Sequence, residues 1–471
     1  MAASKQSKNV ETTPRQAART AGFRPRAERL TAGKALREQV PRESHADFPP
    51  PRKARDPIEL LEASNRGRLE ELVPIRYGRM ARSPFTFLRG SAGLMAHDLA
   101  TMASTGIEVQ ACGDCHLLNF GAFATPERNL VFDLNDFDET LPAPWEWDLK
   151  RLVVSFVIAA RDNRHPDTAG HEAVLACVRA YREHLRECSR LRPLDVWYQS
   201  LDEKTLIDAA PDAESRRFRR QIADRARRRV VENLFPKITT LAGGSHRIVD
   251  QPPVVFHVDE PDFAERVEEG MAAYRATLSD DRRVLLDRYR LEDCAVKVVG
   301  IGSVGTRCFI GLLFSEDGHP LILQFKEAVR SVLEPYAGKS AYANQGQRVV
   351  AGQRLMQSSS DIFLGWARGR RGYHFFGRQL RDMKMSIPVE GASAPQLNHY
   401  AGICGTVLAR AHAKSGVGAA KISGYLGKSD AFDQAIGAFS LAYADQTVRD
   451  HAALVAAVKA GRVKALVEED L

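Results

Sequence analysis

Several things are scarce in this chain of 471 residues. It contains no stretch of about 18 apolar residues, so no segment is expected to cross a membrane as a helix. Its first thirty residues lack the apolar core of an export signal, and the expected location is cytoplasmic. Cysteine is sparse and odd in number, seven in all. That excludes the disulfide framework of a small secreted domain and predicts free thiols. Internal repeats are lacking too, which excludes a solenoid or a propeller.

What is present is the composition of a globular protein, 44% hydrophobic and 27% charged, with length for two to four domain-sized units. The net charge of +8 is unevenly placed. Residues 1–82 hold 18 Lys and Arg against 10 Asp and Glu, and the rest of the chain balances at 49 of each. Residues 1–55 are rich in Arg, Ala, Pro, Ser and Thr, with Pro49-Pro50-Pro51 near their close. They are expected to form a disordered basic arm. Arg216–Arg229 carries eight arginines, read as one solvated helix face. A nucleic-acid partner is not expected, because neither basic segment interleaves aromatics for base stacking.

Periodicity divides the remainder. Residues 56–289 read as a helical lobe that contains a loop at Cys112–Asn119, a strand at Leu130–Phe132 and a helix from Trp147 to Arg161. Leu149, Leu152, Val153, Phe156 and Val157 share one face of that helix. Residues 290–385 change to short apolar runs, Ala295–Val299, Cys308–Phe314 and Leu321–Phe325, parted by a glycine turn and by Ser315-Glu316-Asp317-Gly318. This pattern predicts hairpins, followed by a helix over Gln345–Gln357 and a further hairpin, together a sheet lobe. Residues 386–471 return to helices that complete the helical lobe.

Three segments carry chemistry. Cys112-Gly113-Asp114-Cys115-His116-Leu117-Leu118-Asn119 matches the haem c and redox cysteine spacings, but the export signal and the strand-then-helix setting those need are missing. Asp114 followed five residues later by Asn119 is the spacing of a phosphotransferase loop, in which the Asp handles the acceptor's proton and the Asn holds magnesium. Next, Leu130–Phe132 runs into Asp133, Asp136, Asp138 and Glu139, and carboxylates so close together call for a cation. Asp148, at a helix start, is placed to cap that helix or to brace the loop. Last, Gly300, Gly302 and Gly305 form GxGxxG around Ser303. A strand follows it, not a helix, so a phosphate-covering hairpin is expected here instead of a dinucleotide fold. Lys326, ending the next strand, is placed to reach phosphates. Arg76, Arg79 and Arg89 precede the block and are candidates for an anionic substrate or for surface ion pairs.

The C-G-D-x-H-L-L-N-F-G, V-F-D-L-N-D-F-D-E and W-E-W-D-L-K-R segments resemble a bacterial family catalogued as domain of unknown function 2252, over about residues 57–450. More remotely they resemble the kinase-like superfamily of aminoglycoside and choline phosphotransferases. That resemblance implies a two-lobed α+β kinase-like fold with ATP and Mg2+ as cofactors. It implies Asp114 as catalytic base, and Asn119 and Asp136 as metal ligands with Asp133 competing. Asp148 would brace the loop, and Gly300, Gly302, Ser303, Gly305 and Lys326 would bind the nucleotide. The expected partners are a nucleotide and a small-molecule hydroxyl acceptor. A regulatory pseudokinase, or nucleotidyl transfer on the same fold, is the alternative. Here the glycine hairpin follows Asp114 by about 190 residues, which implies circular permutation. The helix after Lys326 lacks the glutamate that would pair with it, leaving Glu327 and Glu334 as candidate partners.

Overall fold

The computed structural model describes residues 24–48, 55–298, 300–416 and 418–466. A helix over Arg26–Gln39 (α1) comes first, and after several short helices the helix Ala92–Leu99 (α2). Strands Glu108–Ala111 (β1), Phe120–Ala124 (β2), Leu130–Leu134 (β3) and Leu141–Pro144 (β4) lead into two long helices, Trp145–Asp162 (α3) and Asp167–Cys188 (α4). The arginine-rich segment forms Ala213–Arg227 (α5), and strands Thr239–Ala242 (β5), Ser245–Ile248 (β6) and Val255–Phe256 (β7) precede the helix Phe263–Arg275 (α6). Then come Tyr289–Lys297 (β8), Cys308–Ser315 (β9) and Pro320–Glu327 (β10), the helix Gln345–Met356 (α7), and Gly365–Arg368 (β11), His374–Gln379 (β12) and Met385–Ser386 (β13). Three helices follow, Ala394–Lys414 (α8), Ala419–Leu426 (α9) and Ala431–Lys459 (α10).

The fold is α+β. Six strands form one antiparallel sheet in the order β11-β12-β10-β9-β8-β7, with β9 set against β10 by pairs such as Phe325 with Phe309. Most residues of β9 and β10 are apolar and buried, because the sheet is covered on both faces. A separate antiparallel sheet, β13-β2-β3, joins the chain after β12 back to the helical body.

The largest core cluster lies in that helical body. Trp145–Ala160 of α3 is buried throughout, so its stripe of apolar residues has widened to the whole circumference. The polar residues on it therefore need partners inside. Glu146 accepts from the Thr105 N–H at 2.8 Å, and Lys150 lies 4.3 Å over the Phe439 ring, with burial pulling its pKa down to about 8. Helices α4 and α8 cross at Gly405, where a Cβ would overlap the Cys177 carbonyl. No helix among the described residues is long and apolar enough to cross a membrane.

The expectation of disorder over residues 1–55 is corrected for much of its second half, while residues 1–23 and 49–54 lie outside the described residues. Helix α1 docks on α9 by close backbone approach. A side chain at Gly33 would overlap the Lys421 carbonyl, and one at Gly424 the Leu30 carbonyl. Arg37 then donates to the Tyr425 and Gly424 carbonyls at 2.8 and 2.6 Å, and Arg42 to the Leu426 carbonyl at 3.0 Å. Those are the terminal carbonyls of α9, which have no partner within the helix. Composition alone could not show this, since the anchoring is made by two glycines far apart in sequence.

Candidate active site

The loop between β1 and β2 is built around Gly113. Its φ is +88°, and a Cβ there would overlap the Glu139 carbonyl, so only glycine fits. Asp148, in the first turn of α3, lies beneath it. Its Oδ2 accepts from the Cys112 N–H at 2.6 Å and its Oδ1 from the Gly113 N–H at 2.9 Å. His412 Nε2 lies 3.2 Å from the same Oδ2, and its Nδ1 lies 2.8 Å from the Tyr181 hydroxyl. This sealed carboxylate thus holds the loop by two N–H groups and is itself held by His412.

Asp114 comes next on the loop. Its Oδ1 accepts from Arg151 Nε at 2.6 Å, and Arg151 also donates to the Leu88 carbonyl. Arg151 sits one helical turn past Asp148, so one face of α3 anchors both the loop and its carboxylate. Asp114 Oδ2 looks toward Gly302, where a Cβ would lie 3.9 Å from it. His116 Nε2 is 4.0 Å from Oδ2, and burial pulls the imidazole down to about 4, so the ring is neutral at neutral pH. Asn119 ends the loop in a 3-10 turn, with its Nδ2 donating to the Asp114 carbonyl at 2.5 Å. This bond leaves its Oδ1 as the free acceptor.

Asp136 lies two residues past the end of β3. Its Oδ1 accepts from the Asp138 N–H at 3.2 Å. Burial alone would raise its pKa, but Lys326, Arg378 and Lys384 outweigh that and hold it well below the usual carboxylate range. Burial and the Asp136 charge push Asp138 upward. Lys326, on β10, reaches Asp138 Oδ2 at 2.5 Å, and Ser303 Oγ donates to the same oxygen at 3.0 Å. Burial works against the ammonium, but Asp136 and Asp138 keep its pKa above the usual value.

The glycine turn closes over these groups. Arg79 donates to the Gly300 carbonyl and Arg68 to the Val304 carbonyl, each at 2.5 Å, and the Gly305 carbonyl accepts from Leu69 N–H at 2.7 Å. Together the segments enclose a polar cleft of about 110 Å3, lined by Asp114, Asn119, Asp136, Asp138, Gly300, Gly302 and Ser303 among others.

Of the residues singled out from sequence, Asp133, Asp148, Gly305 and Lys326 do not line this cleft; Asp148 lies beneath its loop and Lys326 reaches it only through Asp138. Asp133 belongs to the interior of β3 and is 1% exposed. Both its oxygens accept from Arg410, at 2.6 and 2.8 Å, and Oδ2 accepts from the Ser358 N–H, which consumes its charge inside the core. A Cβ at Gly305 would meet the Arg68 side chain at 3.0 Å. Neither candidate partner of Lys326 reaches it. Glu327 lies 3.1 Å from Arg307, and Glu334 accepts from the Ser340 N–H at 3.4 Å. Where a helix acid was sought, Arg348 of α7 instead holds the main chain behind the acidic strand end, donating to the Asp138, Thr140 and Val329 carbonyls. Sequence reasoning missed Arg151 and His412. The first had a signal in its spacing from Asp148, and the second had none. Cys112 and Cys115 are buried free thiols, and burial pushes the Cys115 thiol well up, away from reactivity.

The donor set fits the implied cofactor. Among the described residues no three His, Cys, Asp or Glu gather as a metal-holding group. Magnesium, however, commonly takes one or two protein oxygens and fills its sphere with water and phosphate. Asn119 Oδ1 and the Asp136 carboxylate are such a pair, and Asp138 Oδ1 beside them is buried with no hydrogen-bond partner.

An α+β chain with one acidic, glycine-roofed cleft is what the fold and site define. The chain belongs to the family described as "Uncharacterized protein conserved in bacteria (DUF2252)", whose model matches residues 68–457. No curated protein and no solved structure matches it.

Proposed function

We propose that the protein is an ATP- and magnesium-dependent phosphotransferase that acts on a hydroxyl of a small molecule. The observation that carries this reading is convergence. The loop with Asp114 and Asn119, the strand end with Asp136, and the glycine turn with Lys326 behind it are far apart in sequence and meet in one cleft. A glycine turn between strands, a Lys on the third strand and a helix after it is also the order used for covering a triphosphate in kinases. In this reading Asp114 Oδ2 takes the acceptor's proton while Arg151 keeps the carboxylate oriented. Bound magnesium would neutralise phosphate charge from the Asn119 and Asp136 side. Gly302 leaves room for the reacting groups, and Asp148 holds the loop still.

Calorimetry with ATP, with and without magnesium, tests the reading on wild type and Asp136→Ala. Magnesium-dependent binding that the variant loses is expected. No binding at millimolar ATP would overturn it. Asp114→Ala should then abolish phosphate transfer and leave binding intact.

A second reading, a nucleotide-binding regulator without turnover, is favoured by one observation. Asp114 is already engaged in an ion pair with Arg151, and Lys326 is tied to Asp138 instead of a helix acid. ATP binding with no phosphate release, across a screen of hydroxyl acceptors, would select it.

A further inference from the structure

A larger cavity lies away from the acidic cleft. It measures about 490 Å3, more than four times the cleft, and the two share no lining residue. Its floor is one face of the six-stranded sheet and its roof is α6. Phe309, Phe325 and Phe375 stand on the floor, on three adjoining strands. Lys326 follows Phe325 on β10, so its side chain leaves from the other face of the sheet. The sheet therefore stands between this cavity and the Lys326 cluster.

The roof is packed at one end and open at the other. Near the C-terminus of α6, Tyr274 is sealed against Phe325, with ring centroids 5.0 Å apart, and its hydroxyl donates to the Phe363 carbonyl. Phe263, Arg266, Val267, Gly270 and Met271 come earlier, at the spacing of one helix face, and all line the cavity. A Cβ at Gly270 would meet nothing within 4 Å. Glycine inside a helix is unfavourable, and no close contact of Gly270 requires it. On the floor Phe309, Phe325 and Phe375 are only half-buried, while Cys308, Lys326 and Phe376 beside them are buried. Protein interiors are close-packed, so rings left partly uncovered beneath a helix mark space that the chain itself does not fill.

The lining says what fits. Six rings face the space, Phe256, Phe263, Phe309, Phe325, Tyr373 and Phe375. The four arginines that line it are all engaged. Arg266 and Arg371 pair with Glu260 at 2.7 and 2.8 Å, and Arg370 pairs with Glu265 at 2.9 Å. Arg307 pairs with Glu327 at 3.1 Å and lies 3.8 Å over the Tyr373 ring. Glu71 and Asp259 add negative charge to the same lining. An anion would meet an acidic rim with every arginine already paired. A space of this size, lined by aromatic rings and walled on two sides, suits a small molecule and not a protein segment.

We infer that the cavity between α6 and the six-stranded sheet binds an uncharged aromatic small molecule, at a site separate from the acidic cleft. This inference does not depend on the phosphotransfer reading. Phenylnaphthylamine, an uncharged probe that fluoresces in apolar surroundings, tests it on the full chain. Anilinonaphthalene sulfonate, run in parallel, has the same ring skeleton and one negative charge. Both are titrated into wild type, Gly270→Ala and Gly270→Phe. Wild type should bind one uncharged probe per chain at micromolar concentration, and more tightly than the sulfonate. Gly270→Ala should bind as wild type does, because its methyl enters open space. Gly270→Phe fills the space from the roof and should weaken binding at least tenfold. Both variants should melt at or above the wild-type temperature. A non-hydrolysable ATP analogue plus magnesium should leave probe binding unchanged.

The site is overturned if wild type fails to bind the uncharged probe, or if Gly270→Phe binds it equally. It is also overturned if Gly270→Phe melts well below wild type, since the space would then not be open. Tighter binding of the sulfonate would overturn the uncharged class. Displacement of the probe by the nucleotide analogue would overturn the separation from the cleft. A dimer in solution that Gly270→Phe dissociates would give this face to a second copy of the chain and overturn the small-molecule assignment.

Discussion

The Lys326 ammonium lies 2.5 Å from Asp138 Oδ2 and 4.0 Å from Asp136 Oδ2, so two segments 188 positions apart share one positive charge. Lys326 is the tie between the six-stranded sheet and the acidic strand end. Lys326→Ala should destabilise the fold by about 1–3 kcal/mol, less than a sealed ion pair because Asp138 keeps some solvent contact. Combined with Asp138→Ala, the loss should fall well short of additive, by roughly 1 kcal/mol or more. Urea denaturation of the double-mutant cycle measures this, and an additive pair would show that the contact carries no energy.

Asp148→Asn separates holding the loop from filling space. The amide has one oxygen for two N–H donors, so one of Cys112 and Gly113 loses its acceptor, at about 1–3 kcal/mol. Hydrogen exchange over residues 112–119 should speed up, while exchange in the rest of α3 stays slow. If the loop remains protected in the variant, Asp148 is only a helix-start residue.

Two glycines near the cleft should respond oppositely to alanine. Gly113→Ala meets the Glu139 carbonyl and a positive φ, and should cost the fold about 2 kcal/mol or more. Gly302→Ala meets nothing closer than 3.5 Å. It should leave the melting temperature within a degree or two and reduce nucleotide binding or turnover. Equal loss of stability in both variants would contradict the stated geometry.

Acid should act through buried histidines. His45 is fully buried against Tyr425 and Phe432, and burial pulls its pKa down to about 3. With the folded value below the unfolded one, its contribution is complete above about pH 6.5 and drains away as pH falls toward 3. At pH 4.5 the loss should reach about 2–3 kcal/mol. His45→Gln, compared with wild type at pH 7 and 4.5, should show a smaller drop between the two. His116, pulled down to about 4, adds to the same slope in both proteins.

Local patterns in the sequence reach the local elements. The runs at 308–314 and 321–325 and the turn at 315–318 become β9, β10 and their hairpin, because apolar runs between turn residues are decided within a few positions. Helix α3 starts at Trp145, two residues ahead of the expectation. The strands β5, β6 and β7 carry no periodicity strong enough to mark them. Long-range pairings were out of reach. Asp133 and Asp136 look alike as letters, and only Arg410, 277 positions away, shows which one is consumed in the core. The partner of Lys326, and the bond of His412 to an aspartate 264 positions earlier, are products of tertiary packing. Geometry alone shows which of the residues singled out from sequence share a cleft.

Gly405 of α8 rests on the Cys177 carbonyl of α4, yet roughly two hundred residues separate the end of α4 from the start of α8. At a synthesis rate of 5–20 residues per second, the ribosome takes about 10–40 s to cover that distance. For that interval the face of α4 around Cys177 lacks the α8 surface that covers it in the finished fold. The sheet-forming segment is made meanwhile, between the two halves of the core that must close around it. The helical core is therefore completed only after the sheet-forming segment has been made.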